Sequence, residues 1–325
     1  MSFQDLADLS IKGKCLEREQ CRRILGCPDE EIVSLIGAAY RVRRKYFGNR
    51  VDIHMLSNAK SGLCLEDCHY CSQSRVSTAG IKTYPLVSKE TLSAQAREAV
   101  ETGANRFCMA LSGRGPNEKE LQRLCHIIRS IKGQTGLSLC ASLGFLDQAQ
   151  AVRLKAAGLD RVNHNLNTSE RFYSRICTTH SFKDRLATLA NCRAAGLEIC
   201  SGGIIGQGET DEDIIDLLYS LRDIKPQAVP INFLIPVKGT PFENRAADLD
   251  PRRCLKVLCL ARFLNPKSEV RAAGGREYHL RSLQPLALYV VDSIFVAGYL
   301  TTGGQSAQEA CNMIADLGFE ATLEG

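Results

Sequence analysis

From about residue 48 the chain alternates short β-branched or apolar runs with polar loops and helical stretches, eight times over. Candidate strands occupy 51–56, 106–111, 137–141, 161–165, 198–202, 228–234, 269–272 and 293–297. Helical patterns fall between them, at 89–101, 118–132, 148–157, 182–195, 212–222, 251–264 and 280–290. Gly103, Gly158 and Gly196 each follow the last turn of a helical run, where a left-handed cap is needed, and a strand follows within a few residues. Strands separated by helices pair in parallel. Eight such units in about 270 residues predict a closed (β/α)8 TIM-type barrel, with a doubly wound open sheet as the competing arrangement.

Residues 1–47 precede this repeat and read as an N-terminal helical extension, with one helix that starts at Pro28 or Asp29 and ends near Gly48. Its apolar face runs through Ile32, Leu35, Ile36 and Tyr40. The barrel unit spans 48–318 and finishes in an amphipathic helix at 305–318, leaving 319–325 as a tail. No linker rich in Pro, Gly or Ser divides the chain. There is no apolar run of about 18 residues, so no membrane-spanning helix is expected. The opening MSFQDLADLSIKGK carries acidic residues and no apolar core, unlike a secretory signal. The net charge of +5 is spread along the chain with no Lys/Arg run, which argues against a nucleic-acid partner.

Composition is ordinary except for 15 cysteines and no tryptophan. An odd count cannot form a fully paired disulfide framework, and a chain this long does not need one. A reducing, cytoplasmic setting follows as the expectation, with clustered cysteines serving as metal ligands or reactive groups.

The densest cluster is SGLCLEDCHYCSQS, in which Cys64, Cys68 and Cys71 form C-x3-C-x2-C. It follows the first strand, at the face where barrel active sites form. Three thiolates can hold three corners of a cubane iron–sulfur cluster and leave the fourth iron open. A zinc site is the alternative, with His69 as fourth ligand, although a side chain between Cys68 and Cys71 is expected to point away. Three more cysteines, Cys108, Cys140 and Cys200, lie on candidate strands two, three and five. Inward side chains of different strands converge in layers, so these thiols point to a second metal site; the simpler alternative is that each is a small buried hydrophobe.

The C-x3-C-x2-C run with Tyr70 before its last cysteine resembles the radical S-adenosylmethionine superfamily. That resemblance implies a [4Fe–4S] cluster on Cys64, Cys68 and Cys71 whose open iron binds S-adenosylmethionine. Cleavage then yields a 5′-deoxyadenosyl radical, which needs a closed, dry pocket. With RFCM, VNHNLNTS, SGGIIGQGET, VPINFLIPVKGTP and VRAAGGRE, the chain is similar to the biotin synthase family from about residue 38 to 318.

The family resemblance implies sulfur insertion into dethiobiotin to close the biotin thiophane ring, with an auxiliary [2Fe–2S] cluster as sulfur donor. Cys108, Cys140, Cys200 and Arg271 match its ligands, and Arg106 matches an arginine near it. Tyr70, Asn165, Asn167, Arg185, Gly206 and Glu209 match positions around the S-adenosylmethionine; Asn163, Asn165 and Asn232 match dethiobiotin contacts. Amides suit a ureido ring because they both donate and accept. No side chain is expected to act as a catalytic acid or base. A flavodoxin or ferredoxin as electron donor and a homodimer are also implied.

The chain departs from the family in places. Many members carry Asp where Asn167 stands, and nine cysteines lie outside both sets: Cys15, Cys21, Cys27, Cys125, Cys177, Cys192, Cys254, Cys259 and Cys311. Cys177, close to the expected cofactor pocket, or an N-terminal cysteine is expected to supplement or replace Arg271 in a larger auxiliary cluster. Two rival functions share part of the pattern: a related radical barrel such as a hydrogenase maturase, and a non-enzymatic iron–sulfur scaffold. Neither rival needs the full set of strand cysteines and asparagines.

Overall fold

The computed structural model describes residues 1–245 and 249–322. Its strands are β1 (Arg50–Lys60), β2 (Arg106–Leu111), β3 (Ser138–Ser142), β4 (Arg161–Asn163), β5 (Glu198–Cys200), β6 (Gly203–Ile205), β7 (Ala228–Phe233), β8 (Glu269–Ala272), β9 (Ser293–Val296) and β10 (Glu320–Thr322). The helices are α1 (Phe3–Ile11), α2 (Arg18–Leu25), α3 (Ile32–Phe47), α4 (Lys89–Glu101), α5 (Glu118–Gln134), α6 (Gln148–Ala156), α7 (Phe182–Ala194), α8 (Asp211–Ile224), α9 (Pro251–Leu264), α10 (Arg276–Leu280), α11 (Gln284–Ala287) and α12 (Ala307–Asp316). Neighbouring strands are parallel, and β9 returns to β1 through Asp52 opposite Ser293, which closes the expected barrel. Helices α1, α5, α6, α7, α8 and α12 open with a reciprocal capping box of the kind Asn117 and Glu120 form on α5, so these helix starts are fixed locally. Gly103, Gly158 and Gly196 adopt positive φ of 73°, 102° and 78° at the predicted stops.

β5 and β6 are one strand broken at Ser201–Gly202, since Cys200 opposite Ala228 and Gly203 opposite Ile231 keep one register. Only glycine fits at the break: a Cβ on Gly202 would lie 1.8 Å from the Pro230 carbonyl oxygen. Alternation along the strands places Arg106, Cys108 and Ala110, Ser138, Cys140 and Ser142, and Glu269 and Arg271 on the inner face. Outward residues such as Phe107, Met109, Leu139 and Val270 are fully buried under the helices.

Several expectations need correction. The N-terminal extension holds three helices rather than one; α1 and α2 pack on α3, α8 and α9. Ser10 Oγ donates to the Phe263 carbonyl at 2.7 Å, which ties α1 to α9. The helix expected over 280–290 breaks into α10, a 3-10 turn and α11, because Arg281 takes a positive φ of 51° and Pro285 has no N–H to give. The strand expected over 161–165 stops at Asn163. Residues 320–322, expected as part of a tail, pair in parallel with the start of β1, and 323–325 lie outside the described residues. Among the described residues no helix is long and apolar enough to cross a membrane.

Candidate active site

The floor of the barrel is ionic. Glu269 accepts from Arg161 Nη1 at 2.6 Å and from Ser293 Oγ at 2.7 Å, bonds Arg271 Nη2, and lies 3.4 Å from His54 Nε2. Burial alone would raise its carboxyl, but Arg271 and Arg161 hold it well below the usual range. Burial drives the His54 imidazole the other way, well below its ordinary value, so it is neutral.

Directly above this floor sit the strand thiols. Cys108 and Cys140 are register partners on β2 and β3, and Cys200 is the partner of Asn163. The hydrogen bond from Cys140 lowers the Cys108 thiol against the effect of burial, helped by Arg271 and Arg106, while Cys140 itself is raised. Burial raises Cys200. Arg271 reaches the same place: Nε donates to Ser293 Oγ at 3.1 Å and the guanidinium lies over the Phe295 ring. Burial opposes its charge, but Glu269, Cys200 and Cys108 outweigh that and raise its pKa.

The open end of the barrel holds a cavity of about 400 Å³. Cys64, Cys71, Cys108, Cys140 and Arg271 all line it, so one space connects the loop thiols and the strand thiols. Tyr70, Asn163, Asn165, Asn167, Arg185 and Asn232 line it too. Asn163 Nδ2 lies 3.2 Å from both Asn165 Oδ1 and Cys200 Sγ. Asn167, at a positive φ of 71°, donates to the Tyr70 hydroxyl at 2.7 Å. Asn232 joins the Gly203 carbonyl and the Gly274 amide, both at 3.0 Å, which leaves one N–H and one lone pair for a ligand. Arg185 donates to the Asn165 carbonyl at 3.0 Å and stacks near Phe145 and Tyr173. Glu209 does not line the cavity; its carboxylate accepts from the Gly206 and Gln207 amides, both at 2.7 Å, and so shapes the loop after β6.

Cys68 and Cys177 form a separate pair. Their sulfurs are 3.8 Å apart, and Cys177 Sγ is 3.0 Å from Asp67 Oδ1 and 3.3 Å from His180 Nδ1. The Cys68 contact and the neighbouring hydrogen-bond donors bring the Cys177 thiol down to about 5. Cys177 therefore lies behind the loop motif and not beside Arg271, which corrects its expected role in an auxiliary site. The reason is topological: the segment after β4 folds over the mouth of the barrel, whereas Arg271 sits within the sheet. Cys21 cannot take that role either, since it contacts Tyr219 in the outer helical layer. His69 meets Phe242 with its ring edge-on.

Sequence reasoning missed the ionic floor, because Arg161, Glu269 and His54 belong to three strands with no local motif. It also missed His164, which lines the cavity with a buried Nε2 that has no partner. Burial lowers that imidazole well below its ordinary value, so it is neutral. The radical S-adenosylmethionine and auxiliary groups fit the residues present: there are six free thiols in two sets, an unpaired His164 nitrogen and an unpaired Arg106 Nη1.

The profile of the Radical SAM superfamily matches residues 60–220, and that of the Biotin and Thiamin Synthesis associated domain matches 230–320. Among curated relatives, the biotin synthase of Rhodopirellula baltica is 49% identical over 98% of this chain and 89% of its own length. Those of Acaryochloris marina and Geobacillus kaustophilus are 51% and 50% identical, covering 93% and 97% of this chain and 87% and 94% of their own. Methylornithine synthase has a solved structure with a TM-score of 0.83 at 21% identity, covering 98% of this chain and 97% of that one. An FeFe-hydrogenase maturase from Carboxydothermus hydrogenoformans gives 0.84 at 19% identity, over 99% of this chain and 80% of that one. At that identity the two structures speak for the fold alone. With both profiles matched and half the residues shared over nearly the whole length, the chain belongs to the biotin synthase family of the radical S-adenosylmethionine superfamily.

Proposed function

We propose that the protein is a sulfurtransferase that forms biotin from dethiobiotin inside the 400 Å³ cavity. The observation that carries the proposal is that this one cavity is lined by thiols of both sets and by the asparagines between them. The bound [4Fe–4S] cluster with S-adenosylmethionine supplies a 5′-deoxyadenosyl radical, and the auxiliary [2Fe–2S] cluster supplies sulfur.

In this reading Cys64, Cys68 and Cys71 hold the first cluster, and Cys108, Cys140, Cys200 and Arg271 hold the second. Glu269 and Ser293 orient the Arg271 guanidinium through the bonds described above. Arg185 offers a fixed cation to the S-adenosylmethionine carboxylate. Tyr70, Asn165 and Asn167 line the ribose side, while Gly206 and Glu209 shape the adenine support. Asn163, Asn165 and Asn232 present amide groups to the ureido ring: Asn163 keeps its carbonyl oxygen, Asn165 its Nδ2 hydrogens, and Asn232 one N–H and one lone pair. The apolar rings of Phe295 and Phe233 help keep water from the substrate.

Electrons come from a flavodoxin or ferredoxin, and the protein works in the cytoplasm as a homodimer. The barrel and its cover, 48–318 and 1–47, act as one unit. The test is to measure methionine and 5′-deoxyadenosine released by the anaerobically reconstituted, reduced protein with and without dethiobiotin. Stimulation with biotin formed is expected; cleavage indifferent to dethiobiotin would instead favour a maturase-like relative.

A further inference from the structure

Cys177 has no part in the reaction as described, yet it is buried against a residue that does. Its Sγ lies 3.8 Å from Cys68 Sγ, which is van der Waals contact between sulfurs. The two chain segments are locked together on both sides of the pair. The His69 amide donates to the Ile176 carbonyl at 2.9 Å. The Asp67 carboxylate accepts from the Thr178 and Thr179 amides at 2.9 and 3.2 Å. Rotation of the two side chains about Cα–Cβ is therefore the motion left to bring the sulfurs to the roughly 2 Å of a disulfide. The Cys177 side is fixed as well: its Sγ lies 3.3 Å from His180 Nδ1, which is itself held 2.5 Å from Glu66 Oε2. Among the described residues, no other cysteine outside the two cluster sets has a second thiol among its hydrogen-bond partners: Cys21 meets Tyr219, Cys125 meets the Arg153 carbonyl and Cys27 the Pro28 carbonyl.

We propose that Cys68 and Cys177 form a reversible disulfide when a peroxide strips the loop cluster, a modification site that shields Cys68 until the cluster is rebuilt. The inference rests on the reading of Cys68 as a ligand of that cluster. Peroxide oxidises the Cys177 sulfur to a sulfenic acid and releases one water. The Cys68 sulfur then attacks it, forming the S–S bond and expelling hydroxide, which leaves as a second water with the Cys68 proton. Two thiols lose two electrons and two protons, and one peroxide becomes two waters. Without Cys177, a Cys68 sulfenic acid has no resolving thiol behind it and proceeds to the sulfinic acid, which thiols do not reverse. Occupancy is exclusive, because Cys68 in a disulfide cannot ligate iron.

The reconstituted holoenzyme is treated with hydrogen peroxide under nitrogen, and its peptides are mapped by mass spectrometry without reduction. A Cys68–Cys177 cross-link is expected as the main disulfide. After dithiothreitol, iron and sulfide, the wild type should regain its [4Fe–4S] absorbance, and Cys177→Ala about five-fold less, with sulfinic acid at Cys68. Cross-links confined to Cys64, Cys68 and Cys71, or equal recovery in the two proteins, would overturn the proposal. Iron content of untreated Cys68→Ala reports separately on whether Cys68 is a cluster ligand, so the two readings fail independently.

Discussion

Cys64, Cys68 and Cys71 sit on a loop with no regular secondary structure, while Cys108, Cys140 and Cys200 sit on three strands of one sheet. The loop thiols are close in sequence, and their loop is anchored by side-chain bonds such as Asp67 to Thr178 and Thr179 and Gln73 to the Gly62 amide. The strand thiols are far apart in sequence and are brought together by register and by the period-two alternation of the barrel wall. One set is thus written as a local motif and held by a loop; the other exists only once the barrel has closed. This difference fits their chemistry. A cluster with an open iron must face a ligand that comes and goes, and a sulfur donor must sit deep, beside Arg271 and Glu269.

The sharpest way to break this comparison is to remove one thiol from each set. On the proposed ligand sets, Cys68→Ala should lower S-adenosylmethionine cleavage by a hundred-fold or more while the strand set keeps its iron, since removal of a cluster ligand abolishes the chemistry it supports. Cys140→Ala should leave cleavage within a few-fold of wild type and abolish biotin formation. Iron and sulfide counts with product assays check both, and loss of both activities in Cys140→Ala would mean that the sets are not separable.

A second test probes the deep set through its floor. Glu269→Gln leaves Arg271 buried without its counter-charge and Arg161 with Glu198 alone, and breaking a buried pair in this way costs about 3–5 kcal/mol. Thermal or denaturant unfolding of the cluster-free protein should show that loss. An unchanged midpoint would mean that the barrel floor does not depend on this charge.

The smallest expected effect lies on the loop side. Asp213 clamps the segment after Asn167 by accepting from Ser169 Oγ at 2.7 Å and from Arg171. Burial would raise its carboxyl, but the Thr210 and Ser169 hydroxyls, the Thr210 amide and Arg171 bring it down to about 2. A carboxyl lowered in the folded state binds its proton more readily when unfolded. Its stabilisation is therefore complete above about pH 4 and is lost as pH falls toward 2. Asp213→Asn should remove at most about 2 kcal/mol of that acid-side dependence. Urea unfolding of both proteins at pH 5 and pH 3 measures the difference, and parallel curves would remove Asp213 from the account.

Much of this molecule was legible from local signals. The eight strand–helix units, the glycine stops and the C-x3-C-x2-C motif depend on residues within a few positions of one another, and local geometry decides them. Alternation even indicated that Cys108, Cys140 and Cys200 could share a lumen. Less legible were α1 and α2, whose short amphipathic faces become informative only against α9 and α8. The need for glycine at 202, where the fifth strand breaks, depends on Pro230, 28 positions away.

By itself, then, the sequence determined the fold class, the loop motif and the residue types needed for two soft-metal sites, because periodicity and spacing are local properties. Tertiary structure alone decided which groups meet. It set Glu269 among Arg161, Arg271 and His54, gave Asn232 two backbone partners and placed Cys177 behind Cys68 rather than beside Arg271. Those encounters depend on barrel closure and on a loop folding across its mouth, and the distances involved are properties of packing rather than of any stretch of chain.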